Sequence, residues 1–267
     1  MYQKKSPQLS ASQLELGYQE PVIKNLEVAF VPGSVTGILG ANGSGKSTLL
    51  KGLARIQNPT KGVVLLDGKN VSVIRPRDYA KQVGILAQHP VAPDGITVEE
   101  LVARGRFPHQ GPWQRPSKKD REVVAEVIER VGLKDFRDRP LNQLSGGQRQ
   151  RAWVAMALAQ EPEVLLLDEP TTYLDLSHQL DVLDLLISLN RERNITVVMV
   201  LHDLNLAARF CDQLLIMDQG QILVQGEPHE VITPTNIAKA FKVMSRVIDD
   251  PVTGKPMVVP IRNLRSE

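Results

Sequence analysis

The sequence has little cysteine, no long hydrophobic run and almost no net charge. Its single cysteine, Cys211, cannot form an internal disulfide, which is typical of a reducing compartment. The longest apolar runs, 164–167 and 197–201, fall far short of the ~20 residues that a membrane-spanning helix needs. No apolar run behind Met1 to Pro7 has the form of a signal peptide. We therefore expect a cytosolic protein, which another protein would have to hold if it acts at a membrane.

The charge balance and the histidine spacing exclude further classes. A net charge of +2 provides no basic field of the kind that duplex binding requires, so we expect no nucleic-acid partner. His89, His109, His178 and His229 do not have the spacing of metal ligands. No internal repeat or low-complexity tract is present. At 267 residues the chain can form one large domain or a core with a subdomain.

Two kinds of strand pattern indicate an α/β core. Three stretches mix apolar and polar residues as half-buried strands do, and we expect them to form a small antiparallel layer: 9–16, 22–30 and 62–66. Four short apolar runs, separated by helical patterns, predict a mainly parallel sheet: 35–39, 83–87, 164–167 and 196–201. Segment 214–224 predicts a hairpin that turns at Asp218 to Gly220.

The stretch 89–162 predicts a helical subdomain inserted in this core. Ser117 and Asp120 resemble a capping box at the start of one helix, and Gly132 is placed to end it. A second helix should start near Ser145 and run through Ala159. We thus divide the chain into a core with its antiparallel layer (9–88 and 163–226), the insert, and a C-terminal tail (227–267). Four residues predict that the end of this tail consists of turns: Pro251, Gly254, Pro256 and Pro260.

Residues 40–47 match the phosphate-loop pattern G-x-x-x-x-G-K-[ST] between a strand and a helix. Such a loop points its backbone N–H groups, and the positive end of the helix, at phosphate oxygens. Lys46 should reach the β and γ phosphates, and the Ser47 hydroxyl should ligate Mg²⁺. The predicted nucleotide-binding residues are Gly40, Ala41, Asn42, Gly43, Ser44, Gly45, Lys46, Ser47 and Thr48.

An acidic pair, Asp168 and Glu169, follows the third of the buried runs. Asp168 is placed to hold Mg²⁺, and Glu169 is free to orient a water for attack on the γ phosphate. Alone, such a pair is equally typical of a solvated turn; beside a phosphate loop it predicts hydrolysis. Pro170 disfavours α geometry at Glu169 and so predicts an extended exit from the strand.

A second glycine-rich segment, Leu144 to Gln148, lies at a predicted helix start and makes a second phosphate cradle. One nucleotide cannot occupy both cradles. We therefore expect two copies to face each other, with the second cradle of each contacting the nucleotide of the other. The predicted contacts in trans are Ser145, Gly146, Gly147 and Gln148.

Three further residues are ambiguous when taken alone. His202 follows a buried run and is placed to contact the γ phosphate or Glu169, but a histidine at a helix start is also commonly structural. Gln88 offers an oxygen ligand for Mg²⁺, although a lone glutamine is usually surface. Tyr18 is able to stack on adenine, or simply to pack.

Together these motifs resemble the nucleotide-binding subunit of ATP-binding-cassette (ABC) transporters, from about Leu9 to Gly226. The resemblance implies a P-loop NTPase (RecA-like) core, with ATP and Mg²⁺ as cofactors. It also implies Tyr18 as the adenine-stacking residue, Gln88 and Asp168 as Mg²⁺ ligands, and a catalytic set of Lys46, Glu169 and His202. Leu174-Asp175 matches the loop beside the partner's site, so Asp175 joins the contacts in trans.

Two stretches are similar to those of bacterial ferric siderophore importer ATPases: 105–109 and 171–179. The resemblance implies a peripheral subunit on the cytoplasmic face of the membrane. Its expected partners are a second copy, integral permeases and, indirectly, a periplasmic or lipoprotein substrate-binding protein. We expect the region from Phe107 to Trp113 to form part of the permease-docking surface, although an ordinary loop fits it nearly as well. Import of haem or cobalamin, and a soluble assembly scaffold, remain alternatives.

Overall fold

The computed structural model describes residues 6–17, 20–111, 114–172 and 174–264. Its strands are β1 (Leu9–Gly17), β2 (Pro21–Ala29), β3 (Val35–Gly40), β4 (Lys61–Leu66), β5 (Lys69–Asn70), β6 (Val83–Leu86), β7 (Val164–Asp168), β8 (Thr196–Val200), β9 (Gln213–Asp218), β10 (Gln221–Gly226), β11 (Val243–Asp249) and β12 (Pro256–Asn263). Its α-helices are α1 (Lys46–Leu53), α2 (Pro76–Ala80), α3 (Val98–Arg104), α4 (Lys118–Arg130), α5 (Gly146–Ala159), α6 (Leu176–Arg193), α7 (Leu204–Phe210), α8 (Pro228–Val231) and α9 (Pro234–Phe241).

The predicted antiparallel layer is confirmed as a four-stranded sheet in the order β2-β1-β4-β5. Every pairing in it is antiparallel. Alternate residues of β1 are buried on each side of a register shift, first Leu9 and Ala11 and then Leu14 and Leu16, as expected for strands with one face on a core.

The predicted parallel sheet is also confirmed. Its strand order is β10-β9-β3-β8-β7-β6, and the β3–β9, β3–β8, β8–β7 and β7–β6 pairs are parallel. The central strands β3, β7 and β8 are buried along their whole length, which their continuous apolar runs require. The edge strand β10 pairs antiparallel with β9 and forms the predicted hairpin.

This sheet separates two hydrophobic cores. Side chains of β7 alternate between them: Val164 and Leu166 join α1 and the antiparallel layer, whereas Leu165 and Leu167 join the helices on the other face. The sheet is therefore covered on both sides, and its strands carry the side chains at their carboxyl ends to one rim.

The helices predicted within 89–162 are confirmed. Ser117 and Asp120 form the capping box of α4, and Gly132, with φ of 69°, follows the end of that helix. Ser145 caps α5, which ends at Ala159. Arg106 is buried between these helices, where its guanidinium contacts Asp120 Oδ1 at 2.9 Å and the Ala159 carbonyl at 2.6 Å.

The prediction that the chain ends in turns is wrong. Strands β11 and β12 form an antiparallel hairpin, and only residues 250–255 between them turn. Pro256 starts β12, and Pro260 lies at a register shift opposite Ser245. Both positions tolerate a residue without a backbone N–H, because a two-stranded hairpin consists of edge strands. Asn205 of α7 pairs its side-chain amide with the backbone of Val258 and so holds the hairpin in place.

No helix within the described ranges is both long enough and apolar enough to cross a membrane.

Candidate functional site

The phosphate loop connects the buried strand β3 to α1, as its sequence predicts. Gly40 has φ of 149°, and a Cβ there would lie 2.3 Å from the Met217 carbonyl oxygen and 2.6 Å from Ser44 Oγ. Glycine is therefore required at the point where the chain leaves the sheet. The loop closes on itself through a hydrogen bond from the Ser44 amide to the Ala41 carbonyl at 3.1 Å.

Two polar side chains of this loop, Ser44 and Lys46, are buried. Lys46 is 5% exposed, and its Nζ donates to the carbonyls of Gly40 at 2.8 Å and Ala41 at 3.0 Å. Burial lowers the pKa of Lys46, against the opposing effect of Glu169 and Asp168. Among the described residues, Ser44 Oγ is one of the few buried side-chain atoms without a hydrogen-bond partner. An oxyanion in the loop would satisfy it.

Ser47 and Asp168 meet at the base of the loop. Ser47 Oγ donates to Asp168 Oδ1 at 3.0 Å, which joins the start of α1 to the end of β7. Asp168 is 4% exposed, and burial raises its pKa, with a further contribution from Glu169. The Ser47 hydrogen bond and the nearby lysines oppose that rise without cancelling it. A buried carboxylate in this condition favours a bound cation.

Glu169 is held by three side chains, two of which come from other segments. His202 Nε2 lies 2.7 Å from Glu169 Oε1, and Thr172 Oγ1 donates to Oε2 at 3.0 Å. A hydrogen bond with the Gln88 side chain completes the set. Burial opposes ionisation of Glu169, but these hydrogen bonds outweigh it and its pKa lies below the ordinary value.

The prediction of an extended exit at Glu169 is wrong, because the residue has φ of 55°. The proline that follows Glu169 disfavours the right-handed α region there, and the residue takes the left-handed region rather than the extended one. The amide of Thr172 donates to the Glu169 carbonyl at 3.3 Å and closes a tight turn. This turn directs the carboxylate towards the phosphate loop.

The loop, Gln88, Glu169 and His202 together line one open cleft of about 480 Å³. The structure thus brings to one rim the groups that follow four separate buried strands. Thr172 and Val22 line the same cleft, and neither was among the predicted site residues. The position of Thr172, three residues after Glu169 in a turn, is the sequence feature from which its contact could have been predicted. Tyr18 lies outside the described residues.

The glycine-rich segment Leu144 to Gln148, which we call the signature segment, does not line this cleft in the described part of the chain. Ser145 and Gly146 are exposed, and a Cβ at Gly146 would have nothing within 4 Å. Ser145 Oγ accepts from the Gln148 amide at 3.2 Å, while Gln148 Oε1 accepts from the Ser145 amide at 3.0 Å. The Gln148 side chain therefore has a local capping role.

Asp175 is the N-cap of α6 and accepts from the His178 amide at 3.0 Å. Its side chain is 67% exposed, and it too lies outside the lining of the described cleft. Hydrogen bonds from His178 hold the pKa of Asp175 below its ordinary value. The residues predicted to act in trans are thus separate from the nucleotide cleft of their own chain.

Residues 23–172 match the family model described as ABC transporter. The chain belongs to the ABC transporter family. As an ATP-binding subunit of this family it is an ATPase with a P-loop NTPase fold, and the site it offers is an ATP site. Its wider similarity extends beyond the matched residues to nearly the whole chain.

Two curated relatives are similar along almost their full length. The ferric enterobactin transport ATP-binding protein FepC of Escherichia coli (strain K12) is 47% identical over 95% of this chain and 94% of its own. The iron(3+)-hydroxamate import ATP-binding protein FhuC of Bacillus subtilis (strain 168) is 45% identical over 97% of each chain.

Solved structures show the same cassette fold. A transporter described as of the metal-chelate ABC type, in an inward-facing conformation, has a TM-score of 0.83 and 29% identity over 96% of this chain and 98% of its own. The dimeric post-hydrolysis state of the ATP-binding cassette MJ0796, bound to ADP and Pi, has a TM-score of 0.72 and 28% identity over 82% of this chain and 98% of its own.

Proposed function

We propose that this cassette hydrolyses ATP to power a bacterial importer of ferric siderophores. The observation that carries the hydrolytic part is the Glu169 carboxylate, held by His202, Gln88 and Thr172 in the same cleft as the phosphate loop. The names of the ferric enterobactin and iron-hydroxamate relatives, similar over almost the whole chain, support the substrate class.

Residues 40–48 hold the triphosphate in this proposal. The backbone of the loop and the N-terminus of α1 supply N–H donors. Lys46 exchanges the Gly40 and Ala41 carbonyls for the β and γ phosphates, and the exchange gives its buried ammonium a charged partner. Ser44, whose hydroxyl has no partner within the described chain, gains one from a phosphate oxygen. Tyr18, by resemblance, stacks on the adenine.

Mg²⁺ fits the oxygen ligands at the base of the loop. Ser47 Oγ and Asp168 Oδ1 already lie within hydrogen-bond distance, and burial leaves the Asp168 carboxylate in need of a cation. Gln88 adds a neutral oxygen near the same rim. Hydroxyl, carboxylate and amide oxygens are the ligands that this hard cation prefers. When bound, it would neutralise charge that develops on the phosphates.

Glu169 acts as the general base in the proposal. Its lowered pKa keeps it ionised at neutral pH, and the ionised carboxylate is able to accept the proton of an attacking water. His202, in contact with Oε1, orients this carboxylate and is exposed to the cleft, where the γ phosphate would lie. Thr172 holds the second oxygen, so that the carboxylate cannot rotate freely.

A second copy completes the site. Its Ser145, Gly146, Gly147, Gln148 and Asp175 would contact the nucleotide from the opposite side, and none of them is used in the cleft of its own chain. The dimer of the MJ0796 cassette supports this arrangement.

In this proposal the chain is divided into a core (9–88 and 163–226), a helical insert (89–162) and a C-terminal region (227–267).

The permease docks, in this proposal, beside the exposed Phe107. This ring is 63% exposed and, with Pro108, lines a cleft of about 470 Å³ that also includes Arg55 and Met156. The backbone next to this aromatic is held by Arg77, whose Nε donates to the Pro108 carbonyl at 2.9 Å. The cassette would then sit at the cytoplasmic face of the membrane, and a substrate-binding protein would act on the far side of the permease.

Membrane isolation and iron uptake test the proposal. We expect the tagged cassette to co-purify with an integral permease, and its deletion to abolish uptake of iron carried by hydroxamate or catecholate siderophores. The wild-type chain should restore uptake and the Lys46→Ala chain should not. Recovery with soluble partners alone would instead support an assembly scaffold. Loss of haem or cobalamin uptake, with siderophore uptake intact, would reassign the substrate.

A further inference from the structure

His178 lies between two segments that the proposed function assigns to the partner's nucleotide. It belongs to the first turn of α6, and its Nδ1 is 2.7 Å from Asp175 Oδ1. The other side of the ring faces the signature segment: a Cβ built on Gly147 would lie 2.3 Å from His178 Cδ2 and 2.8 Å from Cγ. The imidazole therefore contacts both segments of the same chain.

The contact with Asp175 determines which ring nitrogen of His178 donates a hydrogen bond. An ionised carboxylate only accepts hydrogen bonds, so the Nδ1 that meets Asp175 must carry a proton. Asp175 Oδ1 also accepts from the His178 backbone amide at 3.0 Å, which fixes the carboxylate against the first turn of the helix. The ring consequently has one anchored edge and one edge that faces Gly147.

The signature segment and the start of α6 meet through side chains. Gly146 is open to solvent, whereas Gly147, the next residue, is buried. Thirty-one positions separate Gly147 from His178, and no backbone hydrogen bond joins the two segments among the described residues. Side-chain packing is what sets the distance from the N-terminus of α5 to Asp175.

We infer that His178 is a positioning residue, which fixes the signature segment relative to Asp175 so that both reach the partner's nucleotide in one geometry. The inference rests on the proposed function, because it needs the two segments to act in trans. It assigns His178 no contact with ATP and no part in proton transfer.

Two binding measurements distinguish a positioning role of His178 from a general structural role. Binding of ATP to the cleft of a single chain should not depend on His178. Association of two ATP-loaded chains should, because it requires both segments. In a Glu169→Gln background, where hydrolysis is blocked, we expect His178→Ala to weaken ATP-dependent dimerisation about tenfold, roughly the effect of losing one hydrogen bond to a charged group. The ATP affinity of the monomer should stay within about twofold, which matches a surface substitution away from the site.

Conservative variants sharpen the test. In His178→Asn the side-chain amide takes the position of Nδ1 and still donates to Asp175, so dimerisation should recover. In His178→Gln the amide takes the position of Nε2, and dimerisation should remain weak. His229 is exposed on α8, and His229→Ala serves as the matched control. Equal dimerisation of the Asn and Gln variants would overturn the inference, and this comparison decides the matter even if the Ala variant does not fold.

A double substitution tests the contact with Gly147. Gly147→Ala should displace the ring, so its cost to dimerisation should be smaller in a His178→Ala background than alone. An identical cost in both backgrounds would overturn the role of the ring in placing the signature segment. If the Glu169→Gln parent itself fails to dimerise with ATP, the proposed function fails; normal dimerisation of both parent and His178→Ala rejects the inference alone.

Discussion

The nucleotide cleft and the signature segment are built in opposite ways. The cleft is formed by the ends of buried strands, and its charged side chains are covered: Lys46 is 5% exposed and Asp168 4%. The signature segment is the start of one helix, where Ser145 and Gly146 are exposed. Lys46, Asp168 and Glu169 have hydrogen-bond partners in their own chain, whereas a Cβ at Gly146 would have nothing within 4 Å.

This difference indicates which functions one chain can perform alone. A cleft whose charged side chains are already buried is shaped for ATP before a second copy arrives. An exposed helix start with free N–H donors has no charge to bind until another chain supplies it. Substitutions in the cleft should therefore alter binding or chemistry in each chain, and substitutions in the signature segment should alter association.

The largest expected effect is on turnover in the cleft. Glu169→Gln should lower turnover by ~10²-fold or more, because it removes the general base. The amide keeps the size of the side chain, so ATP affinity should be retained. Single-turnover measurement of phosphate release, together with equilibrium ATP binding, checks both parts. Near-normal hydrolysis would remove Glu169 from the role of base.

A charge in the signature segment should produce the converse result. Gly146→Asp meets no steric obstacle in its own chain, and an acidic group in the first turn favours the helix. Facing the partner's triphosphate, however, a like charge costs several kcal/mol, so dimerisation should weaken by roughly 10²-fold. Light scattering with ATP, compared with Gly146→Ala, measures this effect. Unchanged dimerisation would contradict the contact in trans.

Lys46→Ala should weaken ATP binding by about 10- to 100-fold, since it removes a charge-assisted contact to the phosphates. The effect should appear in the monomer and should not depend on protein concentration, in contrast to Gly146→Asp. Calorimetric titration of ATP at two protein concentrations distinguishes them. Full affinity in the variant would argue against the phosphate-loop assignment.

The smallest expected effect is on the stability of the nucleotide-free protein. Since the folded state raises the pKa of Asp168 above the ordinary value of 3.8, folded protein binds the proton more tightly than unfolded protein. The ionised carboxylate thus destabilises the empty cleft above the raised pKa, and this cost disappears as pH falls towards 3.8. Asp168→Asn keeps an oxygen for Ser47 and should raise Tm at neutral pH by a few degrees. The two proteins should converge as pH is lowered; a constant difference would refute the linkage.

The parts of the fold that depend on local chemistry were predictable from sequence. The capping boxes at Ser117 and Ser145, the end of a helix at Gly132 and the phosphate loop each follow from short-range geometry. The convergence of Gln88, Glu169 and His202 was predictable because parallel strands end at one edge of the sheet.

The errors arose where tertiary contacts decided the outcome. Pro256 and Pro260 suggested turns, but a hairpin pinned by Asn205 accommodates both. Pro170 disfavours the right-handed α region at Glu169, but the residue takes the left-handed region and not the extended one that we predicted. The contact between Glu169 and Thr172 depends on this left-handed conformation. His178 contacts Gly147 from a distant part of the chain, and no local sequence pattern predicts this contact.

The side-chain amide of Asn205 links the C-terminal hairpin to the edge of the nucleotide cleft, because α7 begins directly after His202 and Asp203. Cleavage by a protease at the exposed Val252 would cut the turn but leave β12 attached through its strand pairing and this clamp. Loss of β12 would instead free Asn205 at the second position of α7. Strand β12 therefore holds α7, the helix that begins two residues after His202. We expect the rate of amide exchange in 204–210 to change together with that in 256–263.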